Sequence, residues 1–187
     1  MGIKEMESVI KNLWDYLNNY DRSVPFEVHI DKIIKMAKGS DDDPDWNEVE
    51  DINWETTVKT FKNQIEDNLP FIRKNKLKAL YFGISNFAES ETNTVHCCIE
   101  MGGSRQPNLE RIDWYSEKDI YCESLDKIYR ISNREDGLGN DLEYPVCLGI
   151  TVIGIQQALS ILINEKQLKP VYIEAGFHDG DLVQIIL

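Results

Sequence analysis

The chain reads as an α+β domain. Helical periodicity fills roughly its first seventy residues, the period drops to two near residue 77, and a long apolar helix followed by a hairpin pattern closes it. Helices first, then strands, then helix and hairpin suit a largely antiparallel sheet with helices packed on one face. With 187 residues, 42% apolar and 28% charged, the chain can bury one core and has a globular composition. We expect a single domain over 1–187, helical over about 1–72 and sheet-containing over about 73–187.

Met6, Val9, Ile10, Leu13, Trp14 and Leu17 recur at three- and four-residue steps, which predicts an amphipathic helix over about 4–20. Ser23 is placed to cap a second helix with Pro25 in its first turn, where no amide donor is missed. Phe26, Ile30, Ile33, Ile34 and Ala37 form its apolar face, and Gly39 is a natural stop. Pro44 disfavours regular structure at the start of the following segment, and Asn53 is available as a cap at its end. Trp54, Val58, Phe61, Ile65 and Leu69 then mark a third helix that Pro70 should end.

Alternation predicts strands over 77–85 and 94–101, separated by a polar turn of Asn86, Glu89, Ser90 and Asn93. A third strand is expected over 109–115, and Ser124 is placed to cap a short helix carrying Leu125, Ile128 and Tyr129. Asp136 to Asp141 is loop chemistry, after which Pro145 should open a helix apolar nearly all round, with Leu148, Val152, Ile155, Leu159 and Leu162 on its most apolar face. Two short apolar runs flanking His178, Asp179 and Gly180 predict a C-terminal hairpin turned by Asp-Gly.

Charge narrows the functional classes. The net charge of −13 and a pI near 4.6 disfavour nucleic acid and anionic membrane surfaces as partners, and favour a basic protein. The first twenty residues mix Lys4, Glu5, Glu7 and Lys11 with apolar ones, unlike a secretory signal, so the expected location is cytoplasmic. Cys97, Cys98, Cys122 and Cys147 show no CxxC spacing, so they read as reduced thiols. His29, His96 and His178 add no ligand spacing, so neither a metal nor a cofactor is expected. Residues 145–163 approach membrane length, but Gln156, Gln157 and Ser160 interrupt them and no basic cluster flanks them.

Between Lys38 and Lys59 the chain carries eight carboxylates (Asp41, Asp42, Asp43, Asp45, Glu48, Glu50, Asp51 and Glu55) and no Lys or Arg. Asp41, Asp43 and Asp45 alternate like the first EF-hand ligands. Trp46 then stands where that loop needs Gly, and Ile52 where it needs a bidentate Glu. Two readings stay open. In one, Asp41, Asp42, Asp43, Asp45, Trp46, Glu48, Glu50 and Asp51 form a docking surface for a basic protein, with Trp46, Ile52 and Trp54 as apolar anchors. In the other the carboxylates are a solvated loop and the tryptophans turn inward.

On the second strand His96, Cys98 and Glu100 share one face, so His96 is a candidate to activate a Cys98 nucleophile with Glu100 beyond it. An oxyanion-hole motif is missing, and a polar triplet on an open sheet face is the ordinary alternative. A small enzyme or ligand-binding domain using this face is therefore the second functional reading.

Asp113-Trp114, Leu125 to Tyr129, Cys147-Leu148-Gly149 opening an apolar helix, and Gly176 to Asp181 give the C-terminal half a resemblance. It resembles small acidic bacterial immunity-type proteins of toxin–immunity systems. The resemblance implies a non-enzymatic cytoplasmic protein that binds and blocks a toxin, often a basic nuclease. An acidic face that imitates a phosphate array agrees with that reading on physical grounds. Oligomeric state has no signature in the sequence.

Overall fold

The computed structural model of the chain describes residues 3–88, 94–169, 171–178 and 180–185. Helices α1 (Ile3–Asn19) and α2 (Phe26–Lys38) bury the stripes that their spacing marks, with Leu13 and Leu17 on the first and Phe26, Ile30, Ile33, Ile34 and Ala37 on the second. Ser23 does not cap α2. Its amide and hydroxyl both bond Asp21 Oδ1, and Pro25 occupies the cap position.

Pro44 does not keep the acidic segment irregular, because a short helix α3 (Asp45–Glu50) starts directly after it. A proline at a helix start forfeits no intrahelical bond. Helix α4 (Thr57–Asn75) runs through Pro70 instead of ending there. Pro70 lies on the exposed side of the helix, while Leu69 and Ile72 keep both flanking turns packed. The helix ends at Lys76, which takes the left-handed conformation (φ 53) and donates its amide to Arg73 O. Leu77 N then bonds Ile72 O, and the two buried side chains close a Schellman end without a glycine.

Strands β1 (Ala79–Ala88) and β2 (Val95–Ser104) pair antiparallel over their full lengths, with Phe87 opposite His96 and Gly83 opposite Glu100. Asn86 lies within β1, while Glu89, Ser90 and Asn93 of the expected turn lie outside the described residues. The third strand is much shorter than expected. Of 109–115 only β3 (Trp114–Tyr115) pairs, against Gly102 and Gly103, and β4 (Ile120–Tyr121) adds to the same edge of β2.

Helix α5 (Glu123–Asn133) begins at Cys122, and Ser124 bonds Thr57 Oγ1 at 2.9 Å instead of capping it. Pro145 does not open the next helix either. That run starts at α6 (Asn140–Leu142), passes through a wider π turn over Glu143–Cys147, and continues as α7 (Leu148–Asn164). The π turn places Pro145, which has no amide to donate, where the regular ladder is already interrupted.

Helix α7 packs against α2 and α4 on one side and β1 and β5 on the other, which explains its apolar circumference. The run Asn140–Asn164 is long and apolar enough by composition to cross a bilayer, and 78% of its most apolar window is buried inside the fold.

Strand β5 (Tyr172–Phe177) lies parallel to β1 and antiparallel to β6 (Leu182–Gln184), so the six-stranded sheet is mixed but largely antiparallel. Asp179, at the expected hairpin turn, lies outside the described residues. Leu80, Phe82, Ile84, Cys97, Ile99, Met101, Ile173, Ala175 and Val183 join the helices in one core. The other sheet face carries the alternate residues, and among the described residues no helix packs across it, as an α+β domain with one covered face requires.

Candidate binding surface

The acidic segment is tied into the fold at several points. Trp46 is fully enclosed, and Ile52 and Trp54 are buried beside it, so the expectation that they anchor a partner is corrected: these side chains complete the core. An indole left in water would forfeit a large burial term, and here its N–H also finds a partner. Trp46 Nε1 donates to Asp41 Oδ2 at 3.1 Å, which holds the Asp41 carboxyl below the usual carboxylate range. Asp41 Oδ1 and Asp43 Oδ1 accept the amides of Asp43 and Asp45, so the alternation that suggests a calcium loop is spent on turn geometry.

Arg134, just past α5, spans Asp45 and Glu48, donating from Nε at 3.1 Å and from Nη2 at 2.9 Å. Lys38 pairs with Glu50 at 2.7 Å. Asp42, Asp51 and Glu55 are exposed and carry no ion pair among the described residues.

The strand face around His96, Cys98 and Glu100 is uncovered by helix, yet it does not assemble a thiol nucleophile. Each of the three turns to a different partner. His96 Nδ1 lies 3.3 Å from Asp126 Oδ2, and its ring stacks on Phe87. The Cys98 thiol faces Ser85 O at 3.6 Å and Asp119 Oδ2 at 3.5 Å. Burial and the neighbouring Asp119 carboxylate push that thiol up to about 12, so almost no thiolate exists at neutral pH. Glu100 Oε2 lies 2.8 Å from His178 Nδ1, while Tyr81 Oη lies 3.1 Å from the same nitrogen. Glu100 Oε2 is buried without an aligned hydrogen bond, and it approaches the same His178 nitrogen that Tyr81 faces. Tyr81 reaches His178 by lying across Gly83, where a Cβ would collide with the tyrosine hydroxyl.

Two of the important residues here escape sequence reasoning. Asp126 is completely buried in the first turn of α5, accepts from Cys97 N at 3.0 Å and Tyr121 Oη at 3.2 Å, and forms an ion pair with Arg130 Nε at 3.1 Å, besides facing His96. A carboxylate out of water needs that many donors. The Asp126/Arg130 spacing was the available signal, but it reads equally as a surface pair. His178, read as turn chemistry, joins the Glu100 face because β5 runs parallel to β1.

The uncovered face as a whole has a distinctive composition. The six strands contain no Lys or Arg. Phe87, Tyr115 and Tyr121 are each more than 40% exposed on it, with Glu100 on β2, Glu174 beyond β1 on β5, and Asp119 at the edge. A shallow hollow of about 490 Å³ at one end is lined by Ser85, Tyr144, Phe177, His178 and Asp181. There Tyr144 donates to Asp181 and stacks on Phe177, and burial followed by the Asp181 carboxylate raises its hydroxyl to about 12. No three His, Cys, Asp or Glu side chains gather at metal-holding spacing among the described residues. Comparison with protein-family models, curated proteins and solved structures finds no match.

Proposed function

We propose that this chain is a non-enzymatic acidic binding protein that docks a basic protein partner on the uncovered face of its sheet, as an immunity-type protein blocking a toxin would in the cytoplasm. One observation carries the reading: Phe87, Tyr115 and Tyr121 are exposed on a face that also carries Glu100 and is edged by Asp119, and whose strands hold no Lys or Arg. Aromatic side chains supply large contact area at small entropic cost, and the surrounding negative potential steers a basic partner and rejects an acidic one. The acidic segment adds to the long-range attraction through Asp42, Asp51 and Glu55, but not apolar anchors, since its tryptophans are enclosed.

A ligand-binding or enzymatic reading draws on the Glu100, His178 and Tyr81 cluster beside its hollow. It lacks an activated nucleophile, because the thiol nearest that cluster on β2 is held protonated.

The test begins with a partner recovered from the native host and rebound in purified form. Phe87→Ala and Tyr121→Ala should each weaken binding at least about tenfold, the size expected of interface aromatics. Wild-type affinity in both variants would remove the sheet face from the interface, and a partner that binds equally well at high salt would remove the basic-partner reading.

A further inference from the structure

The chain's cations are not spread evenly. A cavity of about 630 Å³ opens where α4 and α7 end and β1 and β5 begin, and Arg73, Lys76, Lys78, Lys166 and Lys169 ring it. None of these five takes part in an ion pair among the described residues, and the lining includes no carboxylate. In a chain of net charge −13 with 33 acidic residues, such a convergence opposes the local field. Beneath the ring Ile72, Leu77, Leu168 and Val171 form an apolar floor.

Helix ends account for part of the arrangement. Lys76 and Lys166 both occupy the left-handed position that terminates a helix (φ 53 and 59), beside the last carbonyls of α4 and α7. Cations there complement the helix dipole. Arg73 donates to Gln167 O and so ties the two helix ends together. Lys78 and Lys169 lie beyond both helices, and the dipole does not explain them. Nor does it explain why the cations surround an apolar hollow.

We infer that this cleft binds a small amphiphilic anion, an aliphatic carboxylate whose chain covers the apolar floor and whose head group meets the lysine ring. A bare phosphate leaves the floor in contact with water, and the guanidinium best suited to grip it is already committed to Gln167. An uncharged chain of the same length leaves the cations that ring the cleft without a counter-charge. The inference does not depend on the partner face and can fail without affecting it.

Titration calorimetry of the full chain with octanoate, 1-octanol and inorganic phosphate separates the contributions. Octanoate should bind saturably at one site, with octanol and phosphate at least about tenfold weaker, since each lacks one half of the interaction. Lys76→Asn with Lys166→Asn removes two charges, and asparagine tolerates the left-handed backbone, so the caps persist. Octanoate affinity should then fall at least about tenfold with the circular dichroism spectrum unchanged. If that pair does not fold, Lys78→Gln with Lys169→Gln, outside the helix ends, must give the same loss. Absence of octanoate binding, phosphate binding as tight as octanoate, or undiminished affinity in the folded double variant overturns the inference.

Discussion

Three buried side chains show how polar chemistry is distributed through the molecule. Trp46 fills the core beneath the acidic segment while its N–H holds Asp41, so Trp46→Ala removes packing and one hydrogen bond to Asp41 at once. Such truncations cost about 3–5 kcal/mol, which a urea unfolding midpoint would register, whereas Trp46→Phe should recover most of the packing loss and none of the bond. Asp126 gathers an amide, a phenol, an imidazole and a guanidinium around one carboxylate at the α5–β2 junction. His29, 2% exposed, accepts from the Tyr16 hydroxyl at Nδ1 and donates from Nε2 to Asp21 O, an arrangement that suits the neutral ring. Burial holds its pKa below the ordinary 6.5. The unfolded chain therefore takes up that proton first as the pH falls, so stability present above about 6.5 is lost as the pH drops from there toward the folded-state value. Unfolding midpoints should fall between about pH 7.5 and pH 5.5 and should level off in His29→Gln. Asp21, Asp41 and Glu66, the carboxyls also shifted downward, titrate below their ordinary 3.8, 3.8 and 4.5, so the stability they contribute is lost below that window.

Local periodicity is the part of the fold most directly legible in the chain. The faces of α1, α2 and α4 are those their three- and four-residue spacings mark, because each helix has one side to bury. The two interior prolines are where local reasoning fails. Pro70 and Pro145 each remove one amide, a local loss, but packing on both sides carries the helix through. The strand edges were hidden for another reason: β3 and β4 are two residues each and exist only because β2 offers an edge. Helix α7 places its glycines where neighbours cross. A Cβ at Gly149 would sit 2.5 Å from Ile33 Cδ1, and one at Gly154 2.6 Å from Phe61 Cε2. Gly154→Ala would gain about 1 kcal/mol of helix propensity at an exposed site, but here the methyl meets an enclosed ring. Overpacking of this kind costs about 1–3 kcal/mol, so we expect a net loss in thermal unfolding, larger for Gly154→Val.

At the scale of the whole molecule, charge and shape divide the surface. Helices cover one side of the sheet, leaving an aromatic and acidic face without strand cations, while the acidic segment, which includes α3, has several of its carboxylates already paired. The segment itself was evident from composition, but which way its tryptophans point depends on tertiary packing that composition does not carry. The same holds for His178, which meets Glu100 only through the parallel pairing of β5 with β1. In the proposed binding role the sheet face and the acidic segment make separable contributions to partner capture. Asp42→Asn, Asp51→Asn and Glu55→Gln together change the net charge from −13 to −10 without touching the core or any ion pair among the described residues. Surface changes of this kind shift stability by no more than about 0.5 kcal/mol. If the segment only steers, the triple variant should associate with a recovered basic partner more slowly at low salt, dissociate at the wild-type rate, and match wild type once salt screens the surface. Stopped-flow association across a salt series measures this. Faster dissociation in the triple variant would instead move the docking contacts from the sheet face onto the acidic segment.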